Sequence, residues 1–335
     1  MPAARQRRIR IAVELGDVLR YPCDVLVLKY AQGLHGADAA VAAHLGIADD
    51  EPGKFPYLGE TRLVPSRGKM PAGKVLFVGV PTLREFSYGE IRGFAKTALA
   101  DLAQASPEAA SVAITTHGAG YALDESEAFR SLVAGVVDAI TGGMFPPSLA
   151  SVTIVERNSR RAERLGQLLG QLVPQGGIAM EPEQYLRELD RAATEQLRSV
   201  GYASEQKPHV FVAMPFVSEM EDHYHYAVEP VVHAMGFLCL RADKDPFVGG
   251  ILDRVKERIA SASFIVADLS MANPNVYLEV GYAWGCGKPT VLLVRDEGEL
   301  KFDVRGQRCL VYRSIRNLEE QLRKELNGLK ASGAF

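Results

Sequence analysis

The sequence predicts an α/β protein of two domains, on two observations. Short apolar runs rich in β-branched residues alternate with stretches at helical spacing, and the alternation breaks once, between Val173 and Pro208. Such alternation builds parallel sheets with right-handed crossovers and helices on both faces. A chain of 335 residues is long enough for each domain to bury its own core.

In chain order, Ile9 to Val13 and Asp24 to Lys29 read as strands, with Gly16-Asp17 between them. The loop Gln32-Gly33-Leu34-His35-Gly36 leads into a small-residue helix, Ala37 to Leu45. Val75 to Val80 is a third strand and Tyr88 to Ala105 a helix. Val112 to Thr116 is a strand that ends at His117-Gly118-Ala119-Gly120-Tyr121, and Glu125 to Ile140 is a helix. Val152 to Val155 closes this sheet, followed by a helix from Arg160 to about Leu172. Pro174-Gln175-Gly176-Gly177 stops that helix. Pro182 to Val200 has the spacing of a charged amphipathic helix, and Gly201 to Pro208 reads as a linker. The expected boundaries are 1–175, a linker 176–207, and 208–335.

The second domain offers strands at His209 to Ala213, Gly236 to Arg241, Phe264 to Ala267 and Pro289 to Val294. Helical spacing runs over Tyr224 to Met235, Ile251 to Ala262 and Val276 to Cys286. Ligands in open α/β sheets bind at the carboxyl edge of the strands. Met214-Pro215-Phe216, Asp243 and Asp268 follow three of these strands and would gather at that edge. Asn273-Pro274-Asn275 then opens a helix, with Asn able to cap free N–H groups and Pro tolerated in the first turn. Glu279 falls in the first turn or so, where Gly281 and Ala283 leave room. A lone Asp at a strand end is usually a turn residue, and a lone helical Glu is usually solvated. Here the two stand at one strand-to-helix junction, which places the chemistry there.

FVAMPF, Tyr224 six residues before Pro230, Arg241-Ala242-Asp243, IVADLS, NPNVYLEVGYA and GKPTVLLV together resemble the bacterial TIR-like branch of the nucleoside 2-deoxyribosyltransferase-like family, over roughly the last third of the chain. The resemblance implies a flavodoxin-like parallel sheet and cleavage of an N-glycosidic bond of NAD or of nucleosides, with Glu279 as the catalytic carboxylate. Breaking a ribosyl–nicotinamide bond builds oxocarbenium character at the sugar carbon, which a carboxylate stabilises or attacks. Nicotinamide is already cationic in NAD and leaves without an acid. Asp268 or Asp243 would orient ribose hydroxyls, while Met214, Pro215, Phe216, Tyr224 and Arg241 line the substrate site. The helix start at Asn273 and Asn275 would meet phosphate oxygens.

The first half is similar to a macro domain, a Rossmann-like α/β unit: GDVLRYPCDVLVL stands for that family's first nucleotide-contacting segment and HGAGY for its phosphate loop. The resemblance implies a nucleotide sensor in which Asp17 accepts from an adenine amino group. Gly33, Gly36, His117, Gly118, Ala119, Gly120 and Tyr121 would surround the phosphates. Lys29-Tyr30-Ala31-Gln32 replaces the family's Asn-rich segment and His117 opens the second loop, so nucleotide binding is expected rather than ADP-ribose hydrolysis. A different Rossmann-like sensor is the rival reading.

Together the resemblances imply a nucleotide-activated NAD glycohydrolase of bacterial antiviral defence, with NAD as substrate, no cofactor, and homo-oligomers that extend to filaments on activation. A metabolic deoxyribosyltransferase or nucleotide N-glycosidase without a regulatory ligand, and a non-catalytic nucleotide-binding protein, remain open alternatives. The net charge of −3 gives no general attraction to nucleic acid, and the basic run Arg5 to Arg10 is short. Four cysteines show no CxxC spacing, and no apolar run reaches the roughly 18 residues of a membrane span. A cytoplasmic protein without metal is expected; His223 and His225 form an H-x-H pair that lacks a third ligand and reads as a solvated helix start. Trp284, at helical spacing from Val280, is expected to pack.

Overall fold

The computed structural model describes residues 8–47, 53–83, 85–117, 123–179, 191–242 and 250–334. It divides into two compact units, one of Met1–Gly118 with Ser126–Glu205, the other of Ala119–Glu125 with Gln206–Phe335.

The first unit runs β1 (Arg8–Leu15), β2 (Val25–Tyr30), α1 (Ala37–Leu45), β3 (Thr61–Pro65), β4 (Lys74–Gly79), α2 (Tyr88–Ala105), β5 (Ser111–Thr115), α3 (Glu125–Thr141), β6 (Ser151–Glu156), α4 (Ser159–Leu172), β7 (Gly177–Ala179) and α5 (Arg191–Ser199). Its seven-stranded sheet has the order β3-β4-β2-β5-β6-β1-β7, parallel except for antiparallel β3 and β7 at the two edges. The central strands are apolar throughout: Val25 to Leu28 and Val75 to Val78 are all buried, so helices must cover both faces. Val152 to Val155 does not close the sheet, because β6 lies between β5 and β1. The edges belong to β3, half-buried and without a clean apolar run, and to β7, three residues formed at the Pro174–Gly177 break itself. Neither has the pattern that identifies a strand.

Arg92 ties the helices of this unit together. Its guanidinium donates to both Asp138 oxygens, at 2.7 and 3.1 Å, and to the carbonyls of Leu197 and Arg198 at 3.3 Å. Those carbonyls end α5, where a cation satisfies them and complements the helix dipole. Of the helix expected over Pro182 to Val200, residues 180–190 lie outside the described residues. The expected linker holds a short turn, Ser204–Gln206, in which buried Ser204 donates to Glu127 at 2.7 Å.

The second unit runs β8 (His209–Ala213), α6 (Ser218–His223), a π-helical turn (Tyr224–Val228), α7 (Glu229–Ala234), β9 (Leu238–Arg241), α8 (Gly250–Ser261), β10 (Phe264–Asp268), α9 (Pro274–Gly285), β11 (Thr290–Val294), β12 (Cys309–Val311) and α10 (Ile315–Ala331). All five strands are parallel in the order β12-β11-β10-β8-β9, the flavodoxin-like arrangement. Its switch point, where ligands bind in such sheets, lies between β8 and β10. The helix expected over Tyr224 to Met235 is split. Pro230 has no N–H for the carbonyl four residues back, and the π turn stands directly upstream. Alternate residues of the strands, among them Val210, Val212, Phe264 and Val266, form one core with Tyr224, Tyr312 and the apolar stripe Leu318, Leu322 and Leu326 of α10.

All four cysteines are free. No helix among the described residues is long and apolar enough to cross a membrane.

At Gly135 a methyl group would overlap the Arg92 carbonyl, so α2 and α3 approach only because this position has no side chain. Gly135→Ala is expected to lower the unfolding free energy by about 1–3 kcal/mol through overpacking. Chemical denaturation of the variant checks this.

Candidate functional site

In the first unit a cavity of about 410 Å³ is lined by Gly16, Asp17, Gly36, Thr116, Arg157 and Arg161, among others. Asp17 closes the turn after β1 by accepting the Leu19 N–H at 3.0 Å. Gly36 starts α1 at φ 75°, a backbone conformation that favours glycine. The cavity wall therefore includes the start of α1 and, through Arg161, the first turn of α4, and the positive end of a helix dipole favours anions. Arg157 adds a cation at the rim, and Arg161 pairs with Glu156 at 3.1 Å. Thr116, Arg157 and Arg161 were not singled out from the sequence, because nothing local distinguishes them from other strand-end residues.

Two expected ligand contacts are absent from this wall. His117 is a core imidazole, edge-on to Phe94 at 4.8 Å; burial, then the charges of Lys29 and Arg161, hold its pKa well below the usual histidine value. Gly33 instead faces the His35 ring. Gly118, Ala119, Gly120 and Tyr121 lie outside the described residues. Next to the expected loop is a buried pair the sequence did not flag, Lys29 and Asp38 at 3.6 Å.

In the second unit, Met214, Phe216, Tyr224 and Arg241 come together at the ends of β8 and β9. The Arg241 guanidinium lies 4.2 Å over the Tyr224 ring and 5.3 Å over Phe216, and donates to Glu221 at 2.8 Å. Met214 Sδ is 4.0 Å from Arg241 Nη1, and Pro215 is buried beside it. Tyr224 is a structural group as well. β9 is an edge strand, and the outward backbone of Cys239 is satisfied by side chains: the carbonyl accepts from Tyr224 Oη at 3.2 Å, and the N–H donates to Asp124 at 2.8 Å.

His225 is buried rather than solvated. It sits between Glu221 at 3.3 Å and Glu229 at 2.8 Å, and although burial works against its charge, these carboxylates raise its pKa. Burial opposes the Glu221 charge too, yet His225 and Arg241 hold that carboxyl down to about 2. The i, i+4 spacing of Glu221, His225 and Glu229 was the missed signal.

Asp268 ends β10 as expected, with both oxygens engaged: Oδ1 accepts the Ser270 N–H at 3.0 Å and Oδ2 the Tyr312 hydroxyl at 2.7 Å. It is 1 % exposed, which suits a pin between strand and core rather than a group facing ribose. Asp243 lies outside the described residues. Asn273 caps α9 by accepting the Asn275 N–H at 2.9 Å. Between Asp268 and Asn273, Met271 and Ala272 adopt φ of 64° and 47°, strained for residues other than glycine.

Glu279 lies in the second turn of α9, one turn further in than expected. Helix α9 packs over β8, β10 and β11, and its buried face is Val276, Glu279, Val280 and Ala283. A carboxylate thus occupies a core-facing position of an otherwise apolar stripe. No described residue donates to it or pairs with it, and burial alone pushes its pKa up to about 8. The same helix turns Trp284 outward, 37 % exposed, where packing was expected.

No family model matches the chain, and no curated protein does. The first half resembles macrodomains of known structure. A Trypanosoma brucei macrodomain in complex with ADP-ribose is 17% identical with a TM-score of 0.38, covering 48% of this chain and 69% of that one. A mutant Oceanobacillus iheyensis macrodomain with ADPR is 14% identical with a TM-score of 0.38, covering 51% and 96%. The macro domain of ganglioside induced differentiation associated protein 2 is 15% identical with a TM-score of 0.37, covering 48% and 83%.

The raised pKa of Glu279 makes stability pH-dependent. The unfolded carboxyl ionises near 4.5 and the folded one near 8, so the folded state holds an extra proton between them and loses stability as pH rises through that window. Relative to the wild type, Glu279→Gln should gain up to about 4 kcal/mol of unfolding free energy between pH 4 and pH 8. Denaturant titrations at both pH values measure the gain.

Proposed function

We propose that the second unit cleaves the N-glycosidic bond of NAD and that the first binds an ADP-ribose-like nucleotide that controls it. The observation that carries the catalytic half is Glu279 on the core-facing stripe of α9. A carboxylate retained for structure has a partner, as Asp268 does; Glu279 has none among the described residues and destabilises the fold when ionised. Violations of the local pattern without compensation concentrate at functional sites. The helix also packs over β8 and β10, the strands of the switch point.

In this reading the pyridinium of NAD favours the ionised form of Glu279 on binding. The C–N bond breaks with its electron pair going to nicotinamide, which leaves neutral. Glu279 stabilises the positive charge at the ribose carbon, or bonds to it, until water adds there and gives up a proton. The cavity beside Asp17 and Gly36 supports the nucleotide-binding half through its anion-favouring helix starts and its carboxylate for a base amino group.

One observation favours a second reading. A carboxyl with a pKa near 8 is a neutral acid at pH 7, suited to protonating the leaving base of an uncharged deoxynucleoside.

The pH dependence of kcat/KM separates the two, because it reports the free enzyme. NAD cleavage by ionised Glu279 should rise with pH, half-maximal near 8 and level above it, whereas acid catalysis on a deoxynucleoside should be level below 8 and fall above it. Glu279→Gln is expected to reduce turnover at least about 100-fold; wild-type turnover would remove Glu279 from the mechanism. Asp17→Ala should weaken ADP-ribose binding about 10-fold by calorimetry, for the loss of one charged hydrogen bond. NAD turnover at saturating ADP-ribose should stay the same. ADP-ribose binding unaffected by the substitution, or full activity without any nucleotide, would refute the regulatory half.

A further inference from the structure

Within the second unit, Asp124, Glu229 and His233 each place a ligand atom within 4.8 Å of the others. We propose that these three side chains form a binding site for one divalent transition-metal ion of the Zn²⁺ type. Glu229 and His233 stand at i and i+4 on α7, one turn apart on the same face. Asp124 comes from a separate segment, fully buried, and lies 2.6 Å from His233 Nε2. Glu229 is 8 % exposed, and its Oε2 is held at 2.8 Å by His225 Nδ1. An outer histidine that fixes a carboxylate in this way is a usual support of metal ligands.

Asp124 and Glu229 are two buried carboxylates whose oxygens share a small volume with the His233 ring. A divalent cation would take both as ligands, with neutral His233 turning its Nε2 lone pair from Asp124 to the ion.

Carboxylate oxygen and imidazole nitrogen are both ligand types that zinc takes, and three protein ligands leave a fourth position open. The imidazole disfavours Mg²⁺ and Ca²⁺, which take oxygen ligands. The His233 side chain is 34 % exposed, which leaves a way in for the ion and room for a water as fourth ligand.

The test uses the full chain, stripped with a chelator and titrated with Zn²⁺ by calorimetry. One ion per chain is expected, with an affinity that falls at least about 10-fold in His233→Gln and in Glu229→Gln. His233→Gln affects a partly exposed residue; its denaturation curve in chelator should match the wild type, which separates lost binding from lost folding. Anomalous scattering at the zinc edge should place the ion between the three side chains. No stoichiometric uptake, equal uptake by His233→Gln, or density at the cysteines instead would overturn the proposal and leave Asp124 and His233 as a hydrogen-bonded pair only.

Discussion

A parallel strand buried on both faces can expose its ends but not its sides, and this constraint governs where polar groups stand in the chain. β2, β4 and β5 in the first sheet and β8 and β10 in the second are apolar through their middles and buried there. Polar side chains collect where the strands stop. Asp17 follows β1, Thr116 follows β5, and Arg241 and Asp268 end β9 and β10. Because all five strands of the second sheet point the same way, those ends share one edge, and the strand order reverses there between β8 and β10, the place where such sheets bind ligands.

In the second unit two carboxylates meet opposite fates. Asp268 lost its water and gained a backbone N–H and the Tyr312 hydroxyl, hydrogen bonds that fix the strand end. Glu279 lost its water and gained nothing among the described residues. The first arrangement stores no chemistry. The second keeps a proton at neutral pH and becomes an anion readily only beside a positive charge. Environment rather than residue type separates the two roles.

Much of the fold was legible because it rests on local pattern. β8, α1 and α2 match their sequence-derived bounds, and Glu279 stood out through its place after Asn273-Pro274-Asn275. What escaped depends on partners distant in sequence. β3, β7 and β12 are short edge or near-edge strands whose pairing the neighbours dictate, and they lack a periodic signal of their own. His225 reads as solvated until Glu221 and Glu229 close on it across the π turn. Asp268 reads as a free carboxylate until Tyr312, 44 residues later, takes one oxygen. Asp124 is followed directly by a helix of the other unit and carries no mark of its contact with Cys239, 115 residues on.

That contact bears on how far the two units are interchangeable parts. The chain leaves the first unit at Gly118, returns at Ser126, and leaves again at Glu205. A gene fragment cut at the last crossing would encode every strand of the second sheet yet omit Asp124. β9 would then present the Cys239 N–H at an open edge, and an open edge is the surface on which a foreign strand adds. Asp124 therefore belongs with the second sheet, and recombination that exchanges the first unit must carry an equivalent acceptor for the Cys239 N–H with it.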